Sequence, residues 1–427
     1  MTTRRAVIAH LLPGAAAAVA LTMLAPRRAV AAERLSIFSH AVHKAVSTTG
    51  PGGDVTAAWR EKNGAEVEWL TSGVEATTER AFKEASLGQG NANIVFLLDR
   101  YTGPQFAGMF EDLGAWHARD PIPGLNEIPA GMIGAHTLGG KLTAIPFRHA
   151  THGLHYNTTF LAERGVQPPK TIEQTLKAAE QLTYTRADGT RVYGLVLNFD
   201  DPSSPIDWIR AFGGEFITPS YEVVIDQPAA VRAVAAICDL YKREILPKNV
   251  LTMKTEDVTT FMQQGRAAMC NQPFGRFVAF NDPKTSKFPG RIAVGPLPLA
   301  SDGKPTPAKT SVWAMAIPRN SRNKELSWSL IKHLSLRESV IAEALNGNGP
   351  VRPSAYDDAK VKALIPYAAE EKLALAGARL VVPGFPNNGK AMDIFIEEFS
   401  QAMLGAKEPQ AAMMDLKKRV VPLMPAK

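Results

Sequence analysis

The sequence predicts an α/β protein of more than one domain. A chain of 427 residues exceeds what one average hydrophobic core organises, so two domains are expected. Strand and helix patterns alternate three times as far as Leu98. The third strand, Ile94 to Leu98, is a continuous apolar run of the kind buried on both faces of a parallel sheet. A hydrophobic content of 45% with 33 glycines and 31 prolines fits a globular α/β chain with many loops and excludes a disordered class.

The first 32 residues differ from the rest. Arg4 and Arg5 precede an apolar run from Ala6 to Ala25 broken by Pro13 and Gly14, and Ala29-Val30-Ala31 forms a small-x-small site. That order reads as a secretory signal over residues 1 to 32, cleaved after Ala31 or Ala32. Thr3-Arg4-Arg5 leaves twin-arginine export open beside the Sec route, although Ala6 and Val7 stand where a larger apolar residue is usual. Removing the segment takes away four arginines and no acids, which leaves 44 basic residues against 41 acidic ones and a net charge of +3 in place of +7. No run of lysine and arginine elsewhere marks a nucleic-acid surface, and no second apolar stretch is long enough to span a bilayer. The mature chain is expected free in the periplasm. Cys238 and Cys270 each lie in an apolar pattern and are read as buried free thiols, with pairing in an oxidising compartment as the alternative.

In chain order, Leu35 to Phe38 is a strand, Ser39-His40 opens a loop, and a helix follows that contains Trp59. Val67 to Leu70 is the second strand, followed by a helix around Thr78 to Leu87. In open parallel sheets ligands collect at the carboxyl ends of strands, so Ser39, His40, Asp99, Arg100 and Tyr101 are positioned candidates. The competing reading of Asp99 is a helix cap.

The stretch from Gly139 to Leu182 organises the chain. Gly139 and Gly140 make a turn, Leu142 to Phe147 is a short apolar run, and Gly153 to Asn157 is a second extended one. Gly165, Pro168 and Pro169 hold the backbone out of helix, and Thr171 with Gln174 forms a capping box for a helix with apolar face Ile172, Leu176, Ala179 and Leu182. Val192 to Asn198 reads as a strand. The helix opened by Asp226-Gln227-Pro228 carries an apolar stripe through Val231, Val234, Cys238 and Tyr241. Asn323 to Leu326 begins a helix with Leu330, Ile331 and Leu334 on one face, and Ser335 with Glu338 boxes the start of another.

Gly140-Lys141, Ile145-Pro146-Phe147, Leu154 to Asn157 and Pro168 to Thr171, in that order and spacing, resemble the extracellular solute-binding proteins of bacterial ABC importers, family 1, the sugar-binding branch that includes maltose-binding protein. Phe110 to Leu113, Phe261 to Asn271, Arg291 to Pro298, Trp313 and Pro350 to Pro353 extend the resemblance to about Tyr356. Ser311 and Val312 replace two glycines that are common ahead of the last crossing. The resemblance implies a two-lobed periplasmic binding protein fold, with an interdomain cleft and hinge strands crossing near residues 145 to 150, 265 to 270 and 313 to 318. Lobe I is expected over 33–147 plus 268–316, and lobe II over 148–267 plus 317–427. The implied function is delivery of a small solute, carbohydrate or polyol in kind, to ABC permease membrane subunits by a monomer without cofactor or nucleic-acid partner.

A sugar presents hydroxyls around a weakly apolar face, so its site needs planar polar side chains beside an aromatic platform. Trp313, Tyr101 and Trp208 are the platform candidates. Asp99, Asp201, Asn271, Gln272, Arg148 and Arg352 are the hydrogen-bonding candidates, Arg352 by its place in the family's proline-arginine segment beside the ligand. Trp313→Ala is expected to weaken binding and leave the fold stable. Arg148 with His149 supports the alternative of an anionic solute such as a sugar acid or glycerol phosphate. Histidines spaced as His149, His152 and His155 do not share a strand face, which weakens a metal site. Asp200 and Asp201 are adjacent and point apart, and no Gly-x-Ser-x-Gly, phosphate-loop or His-Glu-x-x-His motif occurs, so a glycan-active enzyme is the weaker class.

Overall fold

The computed structural model describes residues 33 to 200 and 202 to 425. The expected signal segment and Asp201 lie outside them. Eight strands position the site: β1 (Glu33–His40), β2 (Ala65–Ser72), β3 (Ile94–Leu98), β4 (Ile145–His149), β5 (His152–Asn157), β6 (Met269–Pro273), β7 (Ile292–Gly295) and β8 (Val312–Ala316).

The larger sheet has the order β2-β1-β3-β8-β4. β1 runs parallel to β2 and β3, whereas β8 lies antiparallel to β3 and β4, with Trp313 opposite both Leu98 and Arg148. All five residues of β3 are buried, which explains its unbroken apolar run. The carboxyl ends of β1, β3 and β4 therefore share an edge with the start of β8. On one face Ile37, Phe96 and Phe147 pack with Trp328, Leu330, Ile331 and Leu334 of the helix Lys324–Leu334. On the other, Phe38, Val95 and Leu97 pack with Ala314 and Ala316.

The smaller sheet has the order β6-β5-β7. The expected strand from Val192 to Asn198 lies against it through isolated parallel bridges, Tyr193 with Ala267 and Val196 with Cys270. Gly194 permits this approach, because a Cβ there would fall 1.7 Å from the Ala179 carbonyl oxygen. The second core joins Leu195, Ile206, Phe216 and Val234 to Phe395 and Phe399 of the helix Asn388–Met403 and Met413 of the helix Pro409–Val420.

Two expected boundaries move. The resemblance implies that the segment after 268 belongs to lobe I, yet β6 and β7 both pair with β5, and Ser301 N–H donates to Ala211 O at 2.9 Å. Only the residues from β8 onward enter the larger sheet. It likewise implies lobe II for the segment after 317, but Trp328, Ala344, Tyr356 and Leu375 belong to the core of the larger sheet, and the chain rejoins the smaller one from about Val382. The physical cause is that β5 starts a new sheet two residues after β4 and offers both edges to later strands. Crossings consequently fall at 149–152, 309–312 and about 376–388; the expected one at 265–270 stays inside lobe II.

Local readings shift as well. His40 does not open a loop: its Nδ1 accepts Val42 N–H at 3.3 Å and caps the helix Ala41–Thr48. Thr171 Oγ1 accepts Gln174 N–H at 3.3 Å as expected, but Gln174 Oε1 reaches Lys170 N–H at 2.8 Å instead of completing the box. The helix Pro228–Lys242 buries Ala230, Ala233, Val234, Ile237 and Leu240, so the expected Val231, Cys238 and Tyr241 flank the stripe. The helix Arg337–Leu345 is capped at Leu336, not Ser335. Both cysteines are free, Cys270 buried and Cys238 partly so.

Candidate functional site: the cleft between the lobes

Asp99 follows directly from β3 and turns toward the start of β8, where its Oδ1 accepts Val312 N–H at 2.7 Å. Burial pushes its carboxyl up to about 6, against the opposing pull of that N–H and of the charges on Lys309 and Arg100. Arg100, Lys309 and Ser311 stand beside it from lobe I and the crossing segment. Ser203, Val381, Val382 and Met392 face it from lobe II. The space they enclose is about 20 Å³, room for roughly one water. Asn388 Nδ2 donates to Arg100 O at 3.0 Å and ties the lobes together here. The Arg100 guanidinium lies 4.9 Å from the centre of the half-buried Tyr101 ring. Asp99, Arg100 and Tyr101 are thus brought to the junction of the lobes.

Trp313 is only 8% exposed. Its ring has His40 stacked at 6.3 Å and the edge of His43 at 4.8 Å, and His43 in turn stacks on Phe96 at 4.2 Å. A sugar platform needs an open ring face. Trp313 therefore serves the lobe I core, contrary to the platform expectation. Ser39 is buried and donates its hydroxyl to His40 O at 3.2 Å. Burial, and then the charge of Arg148, lower the pKa of His40, and of buried His43 far more.

The lobe II candidates are largely committed to a buried network. Asp207 Oδ2 meets His152 Nδ1 at 2.6 Å and accepts from Asn271 Nδ2 at 2.9 Å, and its Oδ1 accepts Lys309 N–H at 2.7 Å. Asn271 Oδ1 accepts from Ser204 Oγ at 2.8 Å and Trp208 Nε1 at 3.3 Å. Trp208, 3% exposed, is thereby another core tryptophan and not a platform. Gln272 Nε2 donates to Asn198 Oδ1 at 2.6 Å, and Asn198 Nδ2 donates to Asp200. Asp207 was missed because its helix, Ser203–Ala211, gave no acidic motif; its lone carboxylate holds the crossing segment to lobe II.

Arg352 is engaged through both terminal nitrogens. Its Nη2 donates to Pro123 O and Ser335 O, both at 2.6 Å, and its Nη1 to Gly124 O at 2.8 Å, so it clamps lobe I backbone with these donors, away from the void at Asp99, whose lining does not include it. His149 Nε2 meets Tyr356 Oη at 2.9 Å and Nδ1 meets Thr151 Oγ1 at 3.0 Å. Burial, with Arg148 adding to it, brings its pKa to about 3, so it is a neutral imidazole and not the cationic partner expected for an anion. Arg148 lines a separate cavity of about 780 Å³ with Arg276, Tyr367 and Glu371. Residues that sequence reasoning missed, Lys309, Ser311, Asn388 and Met392, come from the short crossing before β8 and from the region after Asp357 where the motif resemblance fades.

Two α/β lobes joined by crossing segments, with polar side chains of both converging at the junction, define a two-lobed binding protein. Residues 52–340 match the model of the bacterial extracellular solute-binding proteins, and the chain belongs to that family. A probable ABC transporter-binding protein of Deinococcus radiodurans is 27% identical over 328 residues, covering 73% of this chain and 74% of that one. Maltose-bound MalE3 of T. maritima matches with a TM-score of 0.74 and 23% identity over 91% of this chain and 99% of that one. An ABC transporter solute-binding protein of Agrobacterium radiobacter K84 in complex with ribitol gives a TM-score of 0.73 and 21% identity over 92% and 98%. These structural likenesses establish the fold. Among the described residues no helix is long and apolar enough to cross a membrane.

Proposed function

We propose that the chain is the periplasmic substrate-binding component of an ABC importer, taking a carbohydrate or polyol between its lobes at Asp99 and presenting the closed form to membrane permease subunits. The observation that carries this reading is the placement of Asp99: a buried carboxylate at the end of β3, flanked by Arg100 and Lys309, facing Ser203 and Met392 of the other lobe. A carboxylate accepts from two neighbouring hydroxyls while the cations donate to others, a pattern suited to a polyhydroxylated solute. Maltose and ribitol in two proteins of the same fold support the class.

The void of about 20 Å³ is far smaller than a sugar, so entry requires the lobes to part and binding to shift the population back toward closure. The backbone at 149–152, 309–312 and 376–388 is what must flex. The test is a thermal-shift screen of residues 33–427 against neutral sugars, polyols, sugar acids and sugar phosphates. A neutral sugar or polyol raises the melting temperature if the reading is right, by preferential binding to the folded state. A response confined to anions contradicts it.

A further inference from the structure

We propose a second ligand site, for a small organic carboxylate with an apolar body, in the cavity lined by Arg148. This cavity of about 780 Å³ has the size of typical ligand pockets, roughly 300–1,000 Å³, and shares no lining residue with the cleft at Asp99. Its walls come from the crossing segment at Arg148, from Arg276 and Phe277 of lobe II, and from Ile365, Tyr367 and Glu371. The loop at Gly349 closes against the crossing; a Cβ there would fall 2.5 Å from His149 O.

The charge balance points to an anion. Arg148 Nη1 is buried without a hydrogen-bond partner, and Arg148 makes no ion pair within 4.0 Å among the described residues. Glu371, the acid that acts on it, is buried, and desolvation raises its carboxyl to about 8 despite a hydrogen bond from Tyr356 and the charge of Arg148. At neutral pH it is mostly protonated and leaves the guanidinium uncompensated. His40, His43 and His149 have pKa values lowered by burial and then by the charge of Arg148, and an imidazole has no negative form with which to offset that charge. Arg276 adds a second cation, 3.4 Å from Glu256. Asp282 is engaged outward, accepting from Lys284 N–H at 2.9 Å and Thr285 Oγ1 at 3.2 Å. A carboxylate matches a guanidinium edge in two parallel hydrogen bonds, and Phe277, Ile365 and Tyr367 supply the apolar wall.

The groups facing Glu371 are Arg148, Tyr356 and Tyr367, and burial holds both tyrosines well above their usual range, so neither titrates with it. As pH rises through about 8, Glu371 ionises, compensates Arg148 and repels the ligand.

The test is calorimetric titration of residues 33–427 with benzoate, hexanoate, acetate and inorganic phosphate. Benzoate or hexanoate is expected to bind saturably and about tenfold tighter than acetate, to weaken about tenfold between pH 7 and pH 9, and to weaken at least tenfold in Arg148→Gln. Glu371→Gln is expected to remove the pH dependence while retaining binding, which keeps the proposal testable if Arg148→Gln fails to fold. No saturable carboxylate binding up to about 10 mM, binding of phosphate alone, or unchanged pH dependence in Glu371→Gln overturns it. None of these outcomes bears on sugar binding at Asp99, which is read with neutral solutes.

Discussion

Asp99 Oδ1 accepts Val312 N–H at 2.7 Å, so the carboxylate at the end of one strand is fixed by the first backbone group of the neighbour that returns from lobe II. This couples the candidate ligand group to the crossing segment itself. In Asp99→Asn the amide oxygen retains that bond and the charge is lost. Hydrogen bonds to a charged group contribute about 1.5–3 kcal/mol, so solute affinity is expected to fall roughly ten- to a hundredfold, with the melting temperature of the free protein nearly unchanged or raised. Titration calorimetry on both proteins checks it. Because the Asp99 carboxyl is raised to about 6, wild-type affinity should also weaken as pH falls through 6, and that dependence should vanish in the variant.

Asp207 serves the fold. It holds His152, Asn271 and the Lys309 N–H, all buried, and Asp207→Ala leaves each without this acceptor. A loss of about 3–5 kcal/mol is expected in urea unfolding, the scale for breaking a buried charged network. A change below about 1 kcal/mol would remove Asp207 from this role.

Trp313→Ala opens a cavity in lobe I, since its ring packs on His43 and within the core of Phe96 and Phe147. Destabilisation of about 3–5 kcal/mol is expected, with any effect on affinity following from it. Full stability together with lost binding would restore the tryptophan to the ligand surface.

Asn388→Ala removes the bond to Arg100 O across the cleft. A neutral hydrogen bond of about 0.5–1.5 kcal/mol predicts a two- to tenfold weaker solute affinity with the core intact. Small-angle scattering of the solute-free variant is expected to show a more open particle than wild type; identical profiles and affinities would place closure elsewhere.

Glu371 gives a stability signature with a definite sign. Its folded pKa, about 8, lies above the ordinary 4.5, so between these values the native state binds more protons than the unfolded one and stability falls as pH rises. Glu371→Gln should therefore be more stable than wild type at pH 9 by up to a few kcal/mol, an advantage that disappears below about pH 4. Parallel melting curves across that range decide it.

The sequence made β3 legible because five consecutive apolar residues have few places to go except between two layers, and Asp99 inherited its position from that strand. The helix Lys324–Leu334 was legible too, with Leu330, Ile331 and Leu334 all buried. Lobe membership was not, because strand pairing is a long-range choice: nothing local in Met269–Pro273 says that its partner is β5. The tryptophans misled for a related reason. Trp208 and Trp313 have the chemistry of a sugar platform, but exposure of a ring face depends on neighbours such as His43 and Asn271, distant in sequence. Asn388 and Met392 enter the cleft from an amphipathic helix that reads from its pattern only as core.

The most direct measurement is titration calorimetry of residues 33–427 with a panel of neutral sugars and polyols, run beside Asp99→Asn. Saturable binding of one neutral solute, weakened ten- to a hundredfold in the variant, is the predicted result. Wild-type affinity that persists unchanged in Asp99→Asn, or binding of anionic solutes alone, would contradict a carbohydrate or polyol site at the Asp99 cleft.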